Sequence, residues 1–429
     1  MDPVVLIFVV LGLCLALGIP VAFAIGMSAL TFLLAAGDVS PMVMVQRMVD
    51  GARSYTMMAL PMFIYAGSLM AFGSTPRLMR LANMLVSRVP GGLGAATLVT
   101  CGFFGAVSGS GVASTAAIGG IVGKEMLRQK YGLGITAGIL AGGGVMATLI
   151  PPSLVMIIYA GSTGVSVGDM FLAGVGPGAF IILLLILMNC LIAKKRGIGG
   201  GEVIHYTAGD AIKIICDAFL PLMMPIIIIG GVVSGLLTPT ESSVIATFYA
   251  LFLALFVYRE LTFKKFIKAT SDSVITSAII LFIISAATPF GWLMATQNVP
   301  QMFTQALLAL TTNPYMILAV FFGLLWVLGC FMETICIIIL ITPILFPIIT
   351  SMGMDPVHFG VAMMANLAVG GITPPLSVGL FTACRILDCK VEQTFPDVLY
   401  IVLVITVGAA ITFIWPDLSL YLVEIMKEA

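Results

Sequence analysis

Hydroxyl groups and glycines are concentrated at positions 108–115, inside a long apolar stretch. Hydroxyl oxygens and backbone carbonyls freed at a turn are hard ligands, which suit a cation such as Na⁺. Backbone N–H groups at the start of a following helix attract a carboxylate. Close packing between helices is the alternative role for such small residues. The residues expected to contact a bound acid here are Ser108, Gly109, Ser110, Ser114 and Thr115.

A single carboxylate stands in a second apolar stretch, within Phe331-Met332-Glu333-Thr334. An ionised side chain is costly at membrane depth, so a functional role is its default interpretation. We expect Glu333 to face the same bound acid. A structural role at the start of a helix, where the dipole favours negative charge, is the alternative.

Two proline pairs, Pro151-Pro152 and Pro374-Pro375, interrupt further apolar stretches. Proline lacks an N–H group and clashes with the carbonyl one turn earlier, so each pair should break a helix and free carbonyl oxygens. Carbonyls freed beside a polar tip could bind a cation, which would give two cation sites. A kink that serves only packing is the alternative.

The elements that carry these residues belong to a membrane protein. Of 429 residues, 60% are hydrophobic and 9% are charged, whereas soluble proteins carry roughly 25% charged residues. Apolar runs of about 20 residues can cross the ~30 Å hydrocarbon layer as helices, which satisfy their own backbone groups. The sequence therefore predicts an all-α polytopic membrane protein with one membrane domain, 1–429. The candidate spans are 4–18, 20–36, 56–73, 169–192, 217–236, 240–257, 279–296 and 397–415.

The remaining apolar stretches are interrupted. Those at 91–124 and 314–350 predict re-entrant hairpins with polar tips, and those at 133–164 and 356–388 predict helices broken at Pro-Pro. The segment 74–89 is too polar to cross and predicts an interfacial amphipathic helix.

An internal repeat relates these elements. The position numbers of Pro151 and Pro374 differ by 223, and this repeat offset also moves the span 56–73 onto 279–296. The predicted repeats are 1–215 and 216–429, with chance alignment of two proline pairs as the alternative.

The basic residues indicate orientation. With an external N-terminus and a re-entrant 91–124, all of the 19 Lys and Arg except Arg47, Arg53 and Lys427 lie on the cytoplasmic side, as the positive-inside rule requires. The two repeats then have opposite orientation. Inverted repeats are typical of secondary transporters, whose sites lie at the membrane midplane where helices break.

Several motifs, in this order, resemble the large membrane subunit of tripartite ATP-independent periplasmic (TRAP) transporters over essentially the whole chain. They are LPMFIYAGSLM at 60–70, GFFGAVSGSGVASTAAIGG at 102–120, LIPPS at 149–153, LLTPTESS at 236–243, FMETICIIILITPILFPI at 331–348 and NLAVGGITPPLSVGLF at 366–381.

The resemblance implies Na⁺-coupled uptake of a small organic acid, such as a dicarboxylate or a sialic acid, by an elevator-type mechanism in the bacterial inner membrane. The implied partners are a periplasmic substrate-binding protein and a small four-helix membrane subunit. The resemblance also implies two Na⁺ sites. The first involves Ser108, Ser110, Ala147, Ile150 and Ser153, and the second involves Gly329, Gly370, Thr373 and Leu376.

Other features are expected to be structural. Glu241, in Thr238-Pro239-Thr240-Glu241, should cap a helix start, and Arg53, Arg385, His205 and His358 should be interface residues. The apolar first 36 residues have no basic region before them, so we expect no cleaved signal peptide.

The sequence also limits the function. No Walker loop is present, which excludes ATP hydrolysis by this chain, and we expect no enzymatic activity. The net charge of zero gives no reason to expect a nucleic-acid partner. A stand-alone sodium–carboxylate symporter, an ion antiporter of similar design, and a scaffold or membrane enzyme without transport remain as alternatives.

Overall fold

The structure, a computed structural model, describes residues 3–36, 39–86, 88–198, 206–311, 313–375 and 377–428, and every regular element in these ranges is a helix. In the first half the helices are α1 (Pro3–Ala16), α2 (Val21–Ala36), α3 (Met42–Ala52), α4 (Ala59–Val86), α5 (Gly92–Ser108), α6 (Gly111–Arg128), α7 (Leu133–Met146), α8 (Leu154–Thr163) and α9 (Val167–Arg196). In the second half they are α10 (Ala208–Val233), α11 (Pro239–Phe252), α12 (Phe263–Thr296), α13 (Val299–Leu310), α14 (Pro314–Phe331), α15 (Thr334–Ser351), α16 (Pro356–Gly370), α17 (Val378–Leu387), α18 (Val398–Ile414) and α19 (Asp417–Glu428). A π-helical turn, Leu253–Val257, extends α11, and short 3-10 turns lie at Thr56–Met58 and Val391–Thr394.

Length and apolar character identify the helices that suit a bilayer. Within the described ranges, six are long and apolar enough to cross it, or seven if the bent pair α18 and α19 forms one span. These helices confirm the all-α, multi-pass membrane architecture. The sequence did not predict α3 or α19, and it placed the start of the span in α12 at 279 rather than Phe263. The polar flank of α12 begins at a capped helix start, where Thr262 Oγ1 accepts from the Lys265 N–H at 3.4 Å.

Two fully buried helices form the centre of the molecule. Every residue from 134 to 146 of α7 is buried, and so is every residue from 357 to 370 of α16. Helices that are apolar on all sides belong in such a core. The pairs α5–α6 and α14–α15 pack around them, with α9 and α18 behind.

Glycines in α7 allow this close packing. A Cβ atom on Gly144 would overlap the Thr115 hydroxyl of α6, and one on Gly143 would lie 2.8 Å from Cys101 Sγ of α5. The glycine run at 142–144 therefore brings α7 against both helices of the pair α5–α6.

Each half contains one helix pair with a short tip and one broken helix. The first tip (Gly109–Ser110) joins α5 to α6, and the second tip (Met332–Glu333) joins α14 to α15. The first break lies between α7 and α8, and the second break lies between α16 and α17; in both, the Pro-Pro peptide bond is cis.

The helix bounds recur at the repeat offset found in the sequence. Adding 223 to the bounds of α6 gives 334–351, which are the bounds of α15, and adding it to the start of α7 gives the start of α16. The order of elements around the tips and breaks is therefore the same in both halves.

The predicted boundary between the span 56–73 and the interfacial segment 74–89 coincides with a break inside α4. There Phe72 has ψ 110° and Gly73 has φ 84°. Glycine adopts positive φ without the steric penalty of a Cβ atom. Residues 74–86 of the interfacial segment continue as helix.

Candidate functional site

The first tip is a connected network of hydroxyl and backbone groups. Ser110 caps α6, since its Oγ accepts from the Ala113 N–H at 3.4 Å. Its carbonyl accepts from Ser114 Oγ at 2.8 Å, and Ser108 Oγ lies 3.3 Å from Ser114 Oγ. The side chains of Ser108 and Ser114 are buried. The tip therefore concentrates oxygen atoms inside the protein.

The first tip packs against the first break. A Cβ atom on Gly109 would lie 3.0 Å from the Pro152 carbonyl, and Gly105 packs directly on the backbone of Ala147. Ser153 donates to the Thr148 carbonyl. A void of about 10 Å³ lies among residues that include Ser108, Gly109, Pro152 and Ser153. This space has the size of one water molecule or small ion.

The predicted first cation site is therefore brought together in most of its members. Ser108 and Ser153 line the small void, while Ser110 and Ala147 lie next to it in the tip and the break. Ile150 points its side chain toward Gly102 and Gly178 instead. Only its backbone is left to serve as a ligand.

The second tip repeats this arrangement with different chemistry. Glu333 caps α15, and its Oε2 accepts from the Ile335 N–H at 2.9 Å. A Cβ atom on Gly370 would overlap the backbone of Gly329, so α14 and α16 meet backbone to backbone. Thr373 Oγ1 donates to the Val369 carbonyl at 2.7 Å. Leu376, the fourth predicted member, lies outside the described residues.

The two contacts are related by the repeat. The repeat offset moves position 147 onto 370, so Ala147 and Gly370 occupy equivalent places, each pressed against the neighbouring helix pair. In the part of the chain that the structure describes, no group of three or more His, Cys, Asp or Glu could hold a metal ion. The donors gathered at both contacts are hydroxyls and carbonyls, which fit Na⁺ better than a transition metal.

A cavity of about 110 Å³ lies between the two tips and the two breaks. Of the predicted residues, Gly109, Ser110, Gly329 and Glu333 form part of its wall. Glu333 is the only ionisable group among the described wall residues. The cavity is thus bordered by one carboxylate and otherwise by hydroxyl, backbone and apolar groups.

Several predicted residues lie beside the cavity rather than in its wall. Thr115 Oγ1 donates to carbonyls at Gly111 and Leu140, which ties α6 to α7. Ser108, Ser114, Ala147, Ile150, Ser153, Gly370 and Thr373 are also absent from the described wall. Any contact of these residues with a bound acid stays a prediction.

Three hydroxyl residues of the wall were not predicted from the sequence: Thr148, Thr334 and Ser377. Ser377 is 1% exposed, and its Oγ has no hydrogen-bond partner among the described residues. A weak signal was present, because a serine lies within two residues after each proline pair: Ser153 follows directly, and Ser377 follows after Leu376. Ser377 reaches the cavity because of the course of the backbone through the second break, which cannot be read from the sequence.

The remaining polar residues have structural roles or lie at the surface. Thr238 and Glu241 form a reciprocal capping box at the start of α11, as predicted. His358 is buried rather than interfacial, with its ring nitrogens 3.3 Å from Ser419 Oγ and 3.4 Å from the Phe413 carbonyl. Arg53 and Arg385 are exposed. His205 lies outside the described residues.

Comparison with known proteins finds one matching family along almost the whole chain. Residues 8–418 match the family described as the tripartite ATP-independent periplasmic transporter, DctM component. The chain is 37% identical over 421 residues to an isethionate TRAP transporter permease protein of Oleidesulfovibrio alaskensis, covering 98% of this chain and 66% of that protein. It is 34% identical over 420 residues to the sialic acid TRAP transporter large permease protein of Vibrio cholerae, covering 98% of both. It is 34% identical over 401 residues to a C4-dicarboxylate TRAP transporter large permease protein of Pseudomonas aeruginosa, covering 93% of both.

A solved structure shares the fold. The YdaH transporter of Alcanivorax borkumensis, described as having an unusual topology, aligns with a TM-score of 0.58 at 16% identity. The alignment covers 86% of this chain and 87% of that one. At this identity the likeness concerns the fold alone.

Proposed function

Since the chain belongs to the DctM component family of tripartite ATP-independent periplasmic transporters, we propose that it carries a small organic acid inward, driven by Na⁺. It is a multi-pass protein of the bacterial inner membrane, as the sequence predicts. Its relatives are named as transporter permeases and not as enzymes. They are named for isethionate, sialic acid, C4-dicarboxylates and 2,3-diketo-L-gulonate, all of which are acids.

The observation that carries the proposal is the cavity shared by both tips and both breaks. Unwound backbone at membrane depth is tolerated where it is buried in protein or lines a polar cavity. Substrate sites of secondary transporters lie at such discontinuities, between repeats. The cavity wall takes residues from both halves of the chain, as expected for a site at the interface between two repeats.

Two Na⁺ ions would bind where each tip meets its break. Ser108, Ser110, Ala147, Ile150 and Ser153 would hold the first, and Gly329, Gly370, Thr373 and Leu376 would hold the second. The recurrence of the close backbone contact at Ala147 and at Gly370 supports equivalent sites. Each bound ion would supply positive charge beside the cavity, where the described wall has no basic residue. Ion and acid should therefore bind together better than either binds alone.

Movement would follow from the repeat. We assign residues 1–215 and 216–429 to two repeats of opposite orientation, with α5–α6 and α14–α15 as re-entrant hairpins. The hairpins and the broken helices would move as one body, as in an elevator, while α4 and α12 belong to the static scaffold. The recurrence of helix bounds at the repeat offset supports the division of the chain into two repeats.

Two protein partners complete the proposal. A periplasmic substrate-binding protein would deliver the acid, and a small four-helix membrane subunit would cover part of the apolar surface. Exposed apolar side chains on α10 and α11 offer such a surface, including Phe219, Ile226, Phe248 and Phe252. The isethionate relative is longer than this chain, which spans 66% of its length.

Uptake into proteoliposomes tests the proposal. The full chain, with the candidate small subunit and binding protein encoded with it, is reconstituted and given a panel of labelled organic acids under an inward Na⁺ gradient. We expect uptake of one acid that requires both Na⁺ and the binding protein. Uptake without the binding protein would favour a stand-alone symporter. Absence of uptake of every acid, by a chain that binds none of them, would contradict a transport function.

A further inference from the structure

The two tips have the same place in the repeat but opposite chemistry. Ser110 caps α6 at the first tip, and Glu333, its counterpart at the repeat offset, caps α15 at the second. Both residues belong to the wall of the same cavity of about 110 Å³. The cavity wall therefore contains one neutral cap, the neutral end, and one carboxylate, the carboxylate end.

The neutral end is suited to an anionic group. The first-turn amides of Gly111 and Val112 have no acceptor within their own helix, and both residues line the cavity. The Ser110 side chain is engaged with the Ala113 N–H at 3.4 Å. The positive end of the α6 dipole adds to the attraction for an anion, and no described wall residue at this end is acidic.

The carboxylate end is suited to a hydrogen-bond donor. Glu333 accepts from the Ile335 N–H at 2.9 Å, and an ionised carboxylate has about four lone-pair sites, so it can accept further bonds. The same charge repels a second anionic group brought into this cavity. A hydroxyl on the ligand would donate to Glu333, whereas a second carboxylate would be repelled by it.

Ser377 provides an independent sign that a ligand completes this site. Its side chain is 1% exposed, lines the same cavity, and has an Oγ without a partner among the described residues. A buried hydroxyl without a partner is unfavourable, and it can both donate to and accept from a ligand. The cavity is also smaller than the ~300–1,000 Å³ typical of sites for drug-sized ligands.

We propose that the cavity itself selects a small acid with one anionic group and one hydroxyl at its far end. The anionic group binds the amides at the start of α6, and the hydroxyl bonds Glu333 and Ser377. Dianions of the same length are rejected by Glu333. This inference rests on the proposed function and adds the class of acid, carried by the permease independently of its binding protein.

Direct binding to the full chain, purified from membranes with any subunit that accompanies it, tests the inference without the binding protein. The probes are 3-hydroxypropionate, propionate, which lacks the hydroxyl, and malonate, which replaces it with a carboxylate. A second trio, 2-hydroxyethanesulfonate, ethanesulfonate and sulfoacetate, repeats the comparison with a sulfonate. In at least one trio, in Na⁺ buffer, the hydroxy acid should bind at least about tenfold more tightly than its two analogues, since a site that bonds a hydroxyl discriminates against its absence.

Two variants distinguish a role of Glu333 and Ser377 in ligand recognition from a purely structural role. Glu333→Gln should improve binding of malonate or sulfoacetate relative to the hydroxy acid by about tenfold, because it removes the like charge. Ser377→Ala should reduce the preference for the hydroxy acid over propionate or ethanesulfonate without improving the dianions. Glu424→Gln and Ser234→Ala, at exposed positions on α19 and beyond α10, should leave all the ratios unchanged.

The outcomes distinguish a failure of the proposed ligand selectivity from a failure of the proposed transport function. Equal or tighter binding of a dianion or a deoxy analogue in both trios, by the unaltered chain, would overturn the inference and leave the transport proposal standing. So would a uniform change of all probes in Glu333→Gln, or binding only of acids too large for the cavity. Failure of every acid to bind or to be taken up would overturn both.

Discussion

At the contact between Gly329 and Gly370, two backbones meet without a side chain between them. This is the residue-scale feature on which the proposed second Na⁺ site depends, because it brings carbonyls of α14 and α16 within reach of one ion. Ala147 has the equivalent role in the first half, against Gly105. An added methyl group at either contact must push a helix away.

Gly370→Ala should separate α14 from α16 and both destabilise the protein and weaken Na⁺ binding. Overpacking of a tight contact costs about 1–3 kcal/mol. Thermal unfolding in detergent, with and without Na⁺, measures both effects. Gly120→Ala is the matched control, since a Cβ atom at Gly120 meets nothing within 4 Å. Equal unfolding temperatures and equal stabilisation by Na⁺ in the two variants would show that the Gly370 contact has no such role.

The sequence indicates which residue types form the site better than it indicates where their side chains point. The hydroxyl cluster at 108–115 and the lone Glu333 are recognisable because they are polar residues within apolar stretches of the sequence. Thr115, however, donates its hydroxyl to carbonyls of its own and the next helix, and no sequence pattern indicates that Ser377 faces the cavity. Both outcomes are decided by the backbone path through a tip or a break, where no regular period relates residue number to direction.

At the scale of elements, the break in α4 is held by a cluster from the end of α11. Tyr258 packs on Gly73, and the Arg77 guanidinium lies 4.0 Å from the centre of the Tyr258 ring. Arg77 also donates to the Gly73 carbonyl and lies 3.7 Å from a Glu260 carboxylate oxygen. The ring thus covers the point where the backbone dihedral angles of α4 depart from helical values.

Tyr258→Leu should destabilise this break, because it removes the ring that covers Gly73 and the cation–π contact, which contributes roughly 0.5–2 kcal/mol. Tyr258→Phe should have little effect, since the Tyr258 hydroxyl has no partner among the described residues. The unfolding temperatures of the two variants provide the measurement. A larger loss in Tyr258→Phe than in Tyr258→Leu would show that the hydroxyl, and not the ring, matters.

The sequence predicts breaks better than it predicts short amphipathic helices. Pro-Pro pairs, a positive-φ glycine and polar tips have local causes, so the breaks in α4 and around both proline pairs are where the sequence places them. Helix α3 was missed because it has only 11 residues and its apolar run is interrupted by Gln46, Arg47 and Asp50. Tertiary contacts secure it, since the Met48 carbonyl accepts from Ser285 of α12 at 2.8 Å and Gly51 packs on Thr288.

At the scale of the whole molecule, the distribution of basic residues fixes the proposed orientation. Cysteines introduced at the exposed positions Lys195 and Lys264 should not react with an impermeant thiol reagent added outside intact cells. A cysteine at exposed Arg53 should react, and the parent chain gives the background from exposed Cys216. Arg196 is left unchanged because it pairs with Asp397. Ready labelling of both 195 and 264 from outside would contradict the orientation.

The global arrangement was the most predictable level, because it follows from composition and from the repeat. Apolar runs identify most of the crossing helices, although α1 and α2, predicted as spans, are shorter than the six described helices that are long enough to cross. The repeat offset relates the order of the elements in the two halves. What the sequence does not provide is the meeting of both tips in one cavity. That depends on how α7 and α16 pack at the centre, which long-range contacts decide.

The Na⁺ dependence of acid uptake by Thr373→Leu and Ser110→Leu in proteoliposomes tests the proposed coupling between Na⁺ and the acid. Each change replaces a hydroxyl at one tip-to-break contact with a bulky apolar group, so each should reduce uptake and raise the Na⁺ concentration needed for half-maximal rate. Gly120→Ala serves as the control with unaltered Na⁺ dependence. An unchanged Na⁺ dependence in both variants, or full uptake by the unaltered protein without Na⁺, would contradict the account.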